Sequence, residues 1–482
     1  MTSYDSQSTV RSKSDKAIAV GLLAMVAFTG LAHGAVEAWS LAVFELVMIG
    51  LLLLWGVKII AQKRLTVRMP ATALPLAALV VLGLLQGTAL TDGSGQRLSL
   101  STDVEATRAT VLVLFFLLVA FVLAANSFAS DDRKRILANF LIIYGLAMAV
   151  FAIVQHFTWN GRLYWLRPVT AETAIPFGPF VNRNHFAGYM EMLMPLPIAM
   201  VITRTSRRDI HLLYLFAAAM MALAAVASLS RGGMISLAAE MAFIAGVSAK
   251  TKDEGGSRDA QGKSLLSWFS FVLRPAALVL LIGAAISAGV FWMGSERVVD
   301  RIAHSSLTGE DQREESFFTS RGWVWRDTLA MIRANPVTGV GIGAYETSYP
   351  IYSRDDGAVV LGKSYSVDRA HNDYLQILAE CGVVGGGLAL WFIATIFRAI
   401  ARGLKSRDPL RRAFAIGGGA GIFGLLVHSL VDFNLQLPSN ALLFLLLVAV
   451  VSPVGAVASA ARREQEPTVL RGAPVAGVAT GA

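Results

Sequence analysis

The sequence predicts an all-α polytopic membrane protein of about twelve transmembrane helices with one long extracytoplasmic loop, and three observations carry that expectation. Of 482 residues, 55% are hydrophobic and only 16% charged, with a mean hydropathy of +0.58. A soluble chain carries about 25% charged residues. Apolar runs of about 20 residues, the length that crosses a bilayer core, recur along most of the chain. Lipid offers the backbone no hydrogen-bond partner, so runs of this kind must be helical. Finally, basic residues concentrate in alternate connections, as in cytoplasmic loops. That clustering accounts for the net charge of +9 without a nucleic-acid partner.

In chain order, residues 1–16 are polar and Ser-rich and read as a cytoplasmic N-terminal tail. No small-residue cleavage site follows the first apolar run, which is therefore a retained span. Spans are expected at 17–36, 38–57, 71–90, 109–126, 136–156, 184–203, 210–229, 232–249, 275–294, 374–397, 413–430 and 439–460. The membrane domain thus covers 17–460, and 461–482 reads as a disordered cytoplasmic tail. The basic connections are Lys58/Lys63/Arg64/Arg68, Arg133/Lys134/Arg135, Arg204/Arg207/Arg208, Lys250 to Arg274, and Arg398 to Arg412. Their alternation puts both termini in the cytoplasm. Cys381 is the lone cysteine, so no internal disulfide forms and no thiolate metal site is expected.

The opposite face receives two long connections, about 157–183 and 295–373, and short ones around Glu37, Arg97, Arg231 and Asp432. Every basic residue there except Lys363 is arginine. Membrane orientation needs only positive charge, which lysine supplies equally well. An arginine bias fits phosphate recognition by a planar fork of donors that stays charged in a partly dry site. The alternative is arginine solvating a large loop.

Four constellations on that face could carry chemistry. In Gly178-Pro-Phe-Val-Asn-Arg-Asn-His-Phe-Ala187, the side chains of Asn182, Arg183, Asn184 and His185 crowd at a membrane boundary. Ionisable groups there usually face a protein cavity, whereas Asn capping or snorkelling explains only part of the cluster. Ser230-Arg231-Gly232-Gly233 joins two spans almost without a loop, holding Arg231 at the surface beside glycines that let a ligand approach. A tight hairpin would need the glycines but not the arginine. In the long loop, Thr319 to Arg333 is rich in helix formers, with Arg321 and Arg326 flanking Trp323 and Trp325. Aromatic and guanidinium groups suit sugars and phosphates, and equally the interfacial aromatic belt. Lastly, His371-Asn372-Asp373 precedes an apolar helix. The helix dipole disfavours positive charge at that end, which leaves a neutral imidazole able to act as a base. Asp368 or Asp373 would orient it.

Other features read as structural. Asn335-Pro-Val-Thr-Gly-Val-Gly-Ile-Gly-Ala344 has Ala at the sixth position of a GxGxxG and no βαβ context, so it is a glycine-rich turn and not a nucleotide loop. His428 and Asp432, spaced i, i+4, fall short of the three protein ligands a metal needs and read as a polar contact, so no metal is expected. Asp355-Asp356 reads as a solvated loop tip.

His371-Asn372, nine residues, Gly382, two residues, and Gly385 together resemble the H[NSQ]x9GxxG pattern of O-antigen ligases. The segments around Arg183, SRGG at 230–233, NPVTGVGIG and HSLVDFNLQLPSN at 428–440 are similar to the same membrane family of ligases and polymerases. The motif resemblance spans 178–440. It implies a GT-C-like bundle in the bacterial inner membrane, with a periplasmic site and no metal, nucleotide or other cofactor. The implied donor is a glycan on undecaprenyl diphosphate, and the implied acceptor is a glycan or lipid A-core hydroxyl. His371 would be the catalytic base, Arg183, Arg231 and Arg321 the diphosphate-binding groups, and Asn184, Asn372 and Arg326 their support. Fixed cations stabilise a leaving diphosphate without a metal ion. The competing expectation is a transporter of a small solute, but transporters tend to place polar residues at mid-bilayer on broken helices, often in inverted repeats. A scaffold would leave the outer arginines unexplained.

Overall fold

The computed structural model describes residues 3–62, 67–91, 97–169, 175–256, 317–354, 359–360, 363–364 and 367–452. The expected span 275–294, the first part of the loop 295–373, Asp355-Asp356 and the tail 461–482 lie outside the described residues.

The described chain is a helical bundle, and the protein is a polytopic helical membrane protein. The helices are α1 (Ser3–Leu31), α2 (Ala38–Gln62), α3 (Ala73–Gln86), α4 (Val104–Ser127), α5 (Asp131–Phe157), α6 (Arg183–Leu193), α7 (Pro195–Ile202), α8 (His211–Ala227) and α9 (Arg231–Gly256). They continue with α10 (Phe317–Ala334), α11 (Tyr345–Tyr352), α12 (Asp373–Leu404), α13 (Pro409–His428) and α14 (Pro438–Val451). Three two-stranded antiparallel ribbons lie in connections: Ala89–Thr91 with Arg97–Ser99, Arg162–Leu163 with Arg167–Pro168, and Val359–Val360 with Lys363–Ser364.

Among the described residues, eight helical segments are long and apolar enough to cross a membrane, and the shorter apolar α3 and α14 fall where two more spans were expected. Helix α1 begins at Ser3, so the polar residues before the first span are helical and run into it. Helix starts follow their capping chemistry. Asp103, Asn182, Asn372 and Asp408 each accept a backbone N–H of the first turn. Between α6 and α7, Pro195 and Pro197 interrupt one apolar span, because proline has no N–H to donate.

Burial separates the spans into central and peripheral. The Arg183–Ile202 window is 89% buried inside the protein and that of Ala38–Gln62 only 17%. Every residue of α14 is buried, as expected of a helix apolar all round. Helix α13 packs against α6, α7, α9, α12 and α14. Its glycines make this possible, since a Cβ at Gly421 would sit 2.8 Å from the Met192 carbonyl oxygen and one at Gly417 2.8 Å from Leu196 Cα. The central helices α6, α9, α12 and α13 deliver their ends to one place.

Candidate active site

Asn182 caps α6 and fixes its first turn, so Arg183 and Asn184 project from the helix start. Leu229, with φ +57, turns the chain sharply between α8 and α9 and sets Arg231 at the first turn of α9. From the loop, α10 docks by two anchors: Trp325 Nε1 donates to the Ala370 carbonyl at 3.0 Å, and Arg321 donates to the Val431 carbonyl. Arg183, Asn184, Arg231 and Arg321 thereby line one cavity of about 100 Å³, together with Leu229, Gly232, His428, Val431 and Asp432.

Asp432 holds this arrangement together. Its side chain is 1% exposed. It accepts Asn184 Nδ2 at 2.6 Å and the Phe433 N–H at 2.9 Å. Arg321 Nη2 lies at 3.6 Å, His371 Nδ1 at 3.6 Å and His185 Nε2 at 3.9 Å. Burial by itself raises the Asp432 carboxyl, but the facing His371 ring, followed by the His185 and Arg321 charges, holds it well below the usual carboxylate range. Burial pushes the Arg321 guanidinium down, the Asp432 carboxylate draws it back up and Arg231 opposes it. Arginine still keeps its charge there, since its ordinary value lies so high.

His371 does not line the cavity but reaches it through Asp432. Its side chain is 32% exposed, and it packs edge-on against Phe433 with ring centroids 5.0 Å apart. The backbone of His371 is left-handed at φ +48, uncommon for a residue with a Cβ. Asn372 secures that turn: its Oδ1 caps Tyr374 and Leu375, while its Nδ2 donates to the Leu430 carbonyl at 2.8 Å. Nδ1 is the ring nitrogen that faces the Asp432 carboxylate, which leaves Nε2 as the ring's other nitrogen, on the side away from it.

Several expectations need correction. The acid facing His371 is Asp432 and neither Asp368 nor Asp373. The Asp373 carboxylate accepts Ser429 Oγ at 2.8 Å, the Leu435 N–H at 3.2 Å and Gln436 Nε2 at 3.3 Å. The side chains of His428 and Asp432 form no pair: His428 binds Glu191 through Nδ1 at 3.1 Å, and only backbone joins it to Asp432. Arg326 contacts its neighbour Asp327 at 2.9 Å and does not line the cavity. Glu37 pairs with Arg167 at 2.5 Å, away from the site. The glycines of 230–233 also serve packing, because a Cβ on Gly233 would meet Ala187 Cβ at 2.8 Å and Glu191 Oε1 at 3.0 Å. Sequence reasoning missed Glu191 and read Asp432 only as a polar contact of His428. The available signals were an acid inside an apolar span and an acid in a very short connection.

The turn at 335–344 has a definite task. Gly382 breaks α12 at φ +60, exposing the Ala379 carbonyl, which accepts the Val340 N–H at 3.0 Å, and the Glu380 carbonyl, which accepts the Gly341 N–H at 2.9 Å. Gln86 completes the junction, donating to the Thr338 and Glu380 carbonyls and accepting Ile342 N–H. In physical terms, the spacing from His371 to Gly382 is the stretch of helix between the left-handed turn at His371 and this break.

No curated protein matches this chain. Residues 216–392, which include Arg231, Arg321, His371 and Gly382, match the family model described as O-antigen ligase. Arg183 and Asp432 lie beyond that stretch, yet the fold carries both into the same cavity. Over that stretch, less than half of the chain, the protein is similar to O-antigen ligases, which supports a ligase/polymerase-like membrane family with glycan transfer as its general chemistry.

Proposed function

We propose that the protein transfers a glycan from an undecaprenyl-diphosphate carrier to an acceptor hydroxyl at the periplasmic face of the bacterial inner membrane, with both termini cytoplasmic. The observation that carries this reading is the convergence of three arginines on one cavity whose rim carboxylate faces a half-exposed histidine. Arg183, Arg231 and Arg321 bind the diphosphate, and Asn184 and Asn372 position the walls. Arg326, half-buried beside Asp327, supports α10 and does not itself hold the donor.

In the reaction, His371 Nε2 takes the proton of the acceptor hydroxyl as its oxygen attacks the anomeric carbon. The bond from that carbon to the phosphate oxygen breaks, and the electron pair leaves with the diphosphate. Charge developing on that oxygen meets guanidinium groups already in place, so little reorganisation is needed. Asp432 stabilises the imidazolium formed at His371. A polyprenyl tail requires lateral access from lipid, which clefts between helices provide.

The test is transfer by purified full-length protein in proteoliposomes containing an undecaprenyl-diphosphate-linked glycan and acceptor. Arg183→Ala, Arg231→Ala and Arg321→Ala are each expected to slow transfer about 10²–10³-fold. Near-native rates from all three would sink the diphosphate assignment. Counterflow of a small solute in the same vesicles, without transfer, would favour a transporter instead.

A further inference from the structure

His428 closes α13 with its imidazole 1% exposed. Its Nδ1 lies 3.1 and 3.2 Å from the two oxygens of Glu191, which is itself fully buried on α6. Nε2 is buried and has no hydrogen-bond partner among the described residues. The ring lines the cavity of Arg183, Arg231 and Arg321. Gly232, on α9, leaves that edge open, because a Cβ there would come 2.6 Å from Nε2.

Counting protons on the pair decides what Nε2 presents. The titratable and charged groups acting on Glu191 and His428 include Asp432 in the following turn, His185 on α6, Glu240 on α9 and Arg321 on α10. A Glu191 carboxylate beside a neutral ring would add a net negative charge next to two further acids, in a place remote from water. Burial disfavours that state strongly. The pair is neutral when it holds two protons, one in the bridge between Glu191 and Nδ1. The second then sits on Nε2, whichever partner formally owns the bridging proton. His371 differs, because its carboxylate partner Asp432 already has the Arg321 charge beside it.

We propose that His428 is a hydrogen-bond donor of the arginine cavity, its Nε2–H directed at a non-bridging oxygen of a bound diphosphate, and that Glu191 fixes the proton in that position. The inference rests on reading the cavity as a diphosphate site. His428 adds a neutral, directional donor to three cations, and such a donor selects for an acceptor oxygen and not merely for negative charge.

Two substitutions separate this role from a structural one. An Asn amide can replace Nδ1 and keep the bond to Glu191 while removing the donor at Nε2. A Gln amide reaches the Nε2 position and weakens the Glu191 contact. Inorganic diphosphate is titrated into purified full-length protein in detergent, with monodispersity checked for each variant. His428→Asn is expected to bind about tenfold more weakly, while His428→Gln stays within about threefold of the native protein. Gly232→Ala, whose added carbon crowds Nε2 while both members of the His428–Glu191 pair keep their identity, is expected to weaken binding as His428→Asn does. Native-like affinity in His428→Asn and Gly232→Ala, or the reverse ranking of Asn and Gln, overturns the proposal while leaving the arginine site standing. Failure of the native protein to bind diphosphate overturns the diphosphate reading and the donor role together.

Discussion

At Asp432 one buried carboxylate faces Arg321, Asn184, His185 and His371, which come from three separate stretches of chain. Replacing it with Asn removes the counter-charge of Arg321 and the acid that orients His371. The folded-state value lies below the ordinary Asp value of about 3.9, so the stabilisation from this group is complete above about pH 4 and is lost as pH falls toward the folded value. Thermal melts in detergent should therefore show a constant gap between native protein and Asp432→Asn from pH 8 to pH 5, narrowing below pH 4. A gap that closes between pH 6 and pH 5 would contradict the assignment. The residue was visible in the sequence as an acid in a short connection, but the i, i+4 spacing paired it with His428. That spacing assumes a continuing helix; α13 ends at His428, the chain turns, and the two side chains diverge. Glu191 was illegible for a different reason, since its partner lies across the bundle on α13 and no local pattern points to it.

Among the elements, α12 and the turn before α11 illustrate how a motif becomes a joint. Periodicity placed a helix near Tyr374 and glycines at Gly382 and Gly385, but it could not show that the helix breaks at Gly382 to receive residues 336–341. The break requires backbone at φ +60 and bare space, as a Cβ on Gly382 would lie 2.2 Å from the Val337 carbonyl oxygen. Gly382→Ala is expected to cost about 1–3 kcal/mol from backbone strain alone, with the clash in addition. Its melting point should fall by several degrees, whereas Gly246→Ala, with nothing within 4 Å of the added carbon, should melt as the native protein does. Equal melting of the two variants would remove the joint from the account. The loop helix was legible from its composition, expected at Thr319 to Arg333 and found at Phe317–Ala334. Its docking was not, because Trp325 and Arg321 are anchored by backbone carbonyls whose positions only the tertiary fold defines.

Across the whole molecule, hydropathy located the described spans, because lipid imposes the same length and polarity on every crossing helix, but not all their ends: 374–397 runs on to Leu404, and 439–460 stops at Val451. Hydropathy gave no order of packing. Apolar residues are required on the lipid face and in the core alike, so α14 and α2 look similar in sequence although one is wholly buried and the other largely exposed. Assembly of the site depends on that packing, since Arg183, Arg231, Arg321 and Asp432 meet only when α6, α9, α10 and the turn after α13 come together. The central claim is that this assembly performs glycan transfer with His371 as its base. Its most direct test is single-turnover transfer from the undecaprenyl-diphosphate-linked glycan by native protein and His371→Ala, both inserted in proteoliposomes. The account predicts that the native protein transfers glycan, and that His371→Ala binds donor yet loses at least about 100-fold in rate, the range of general-base catalysis. Near-native transfer by His371→Ala would contradict it.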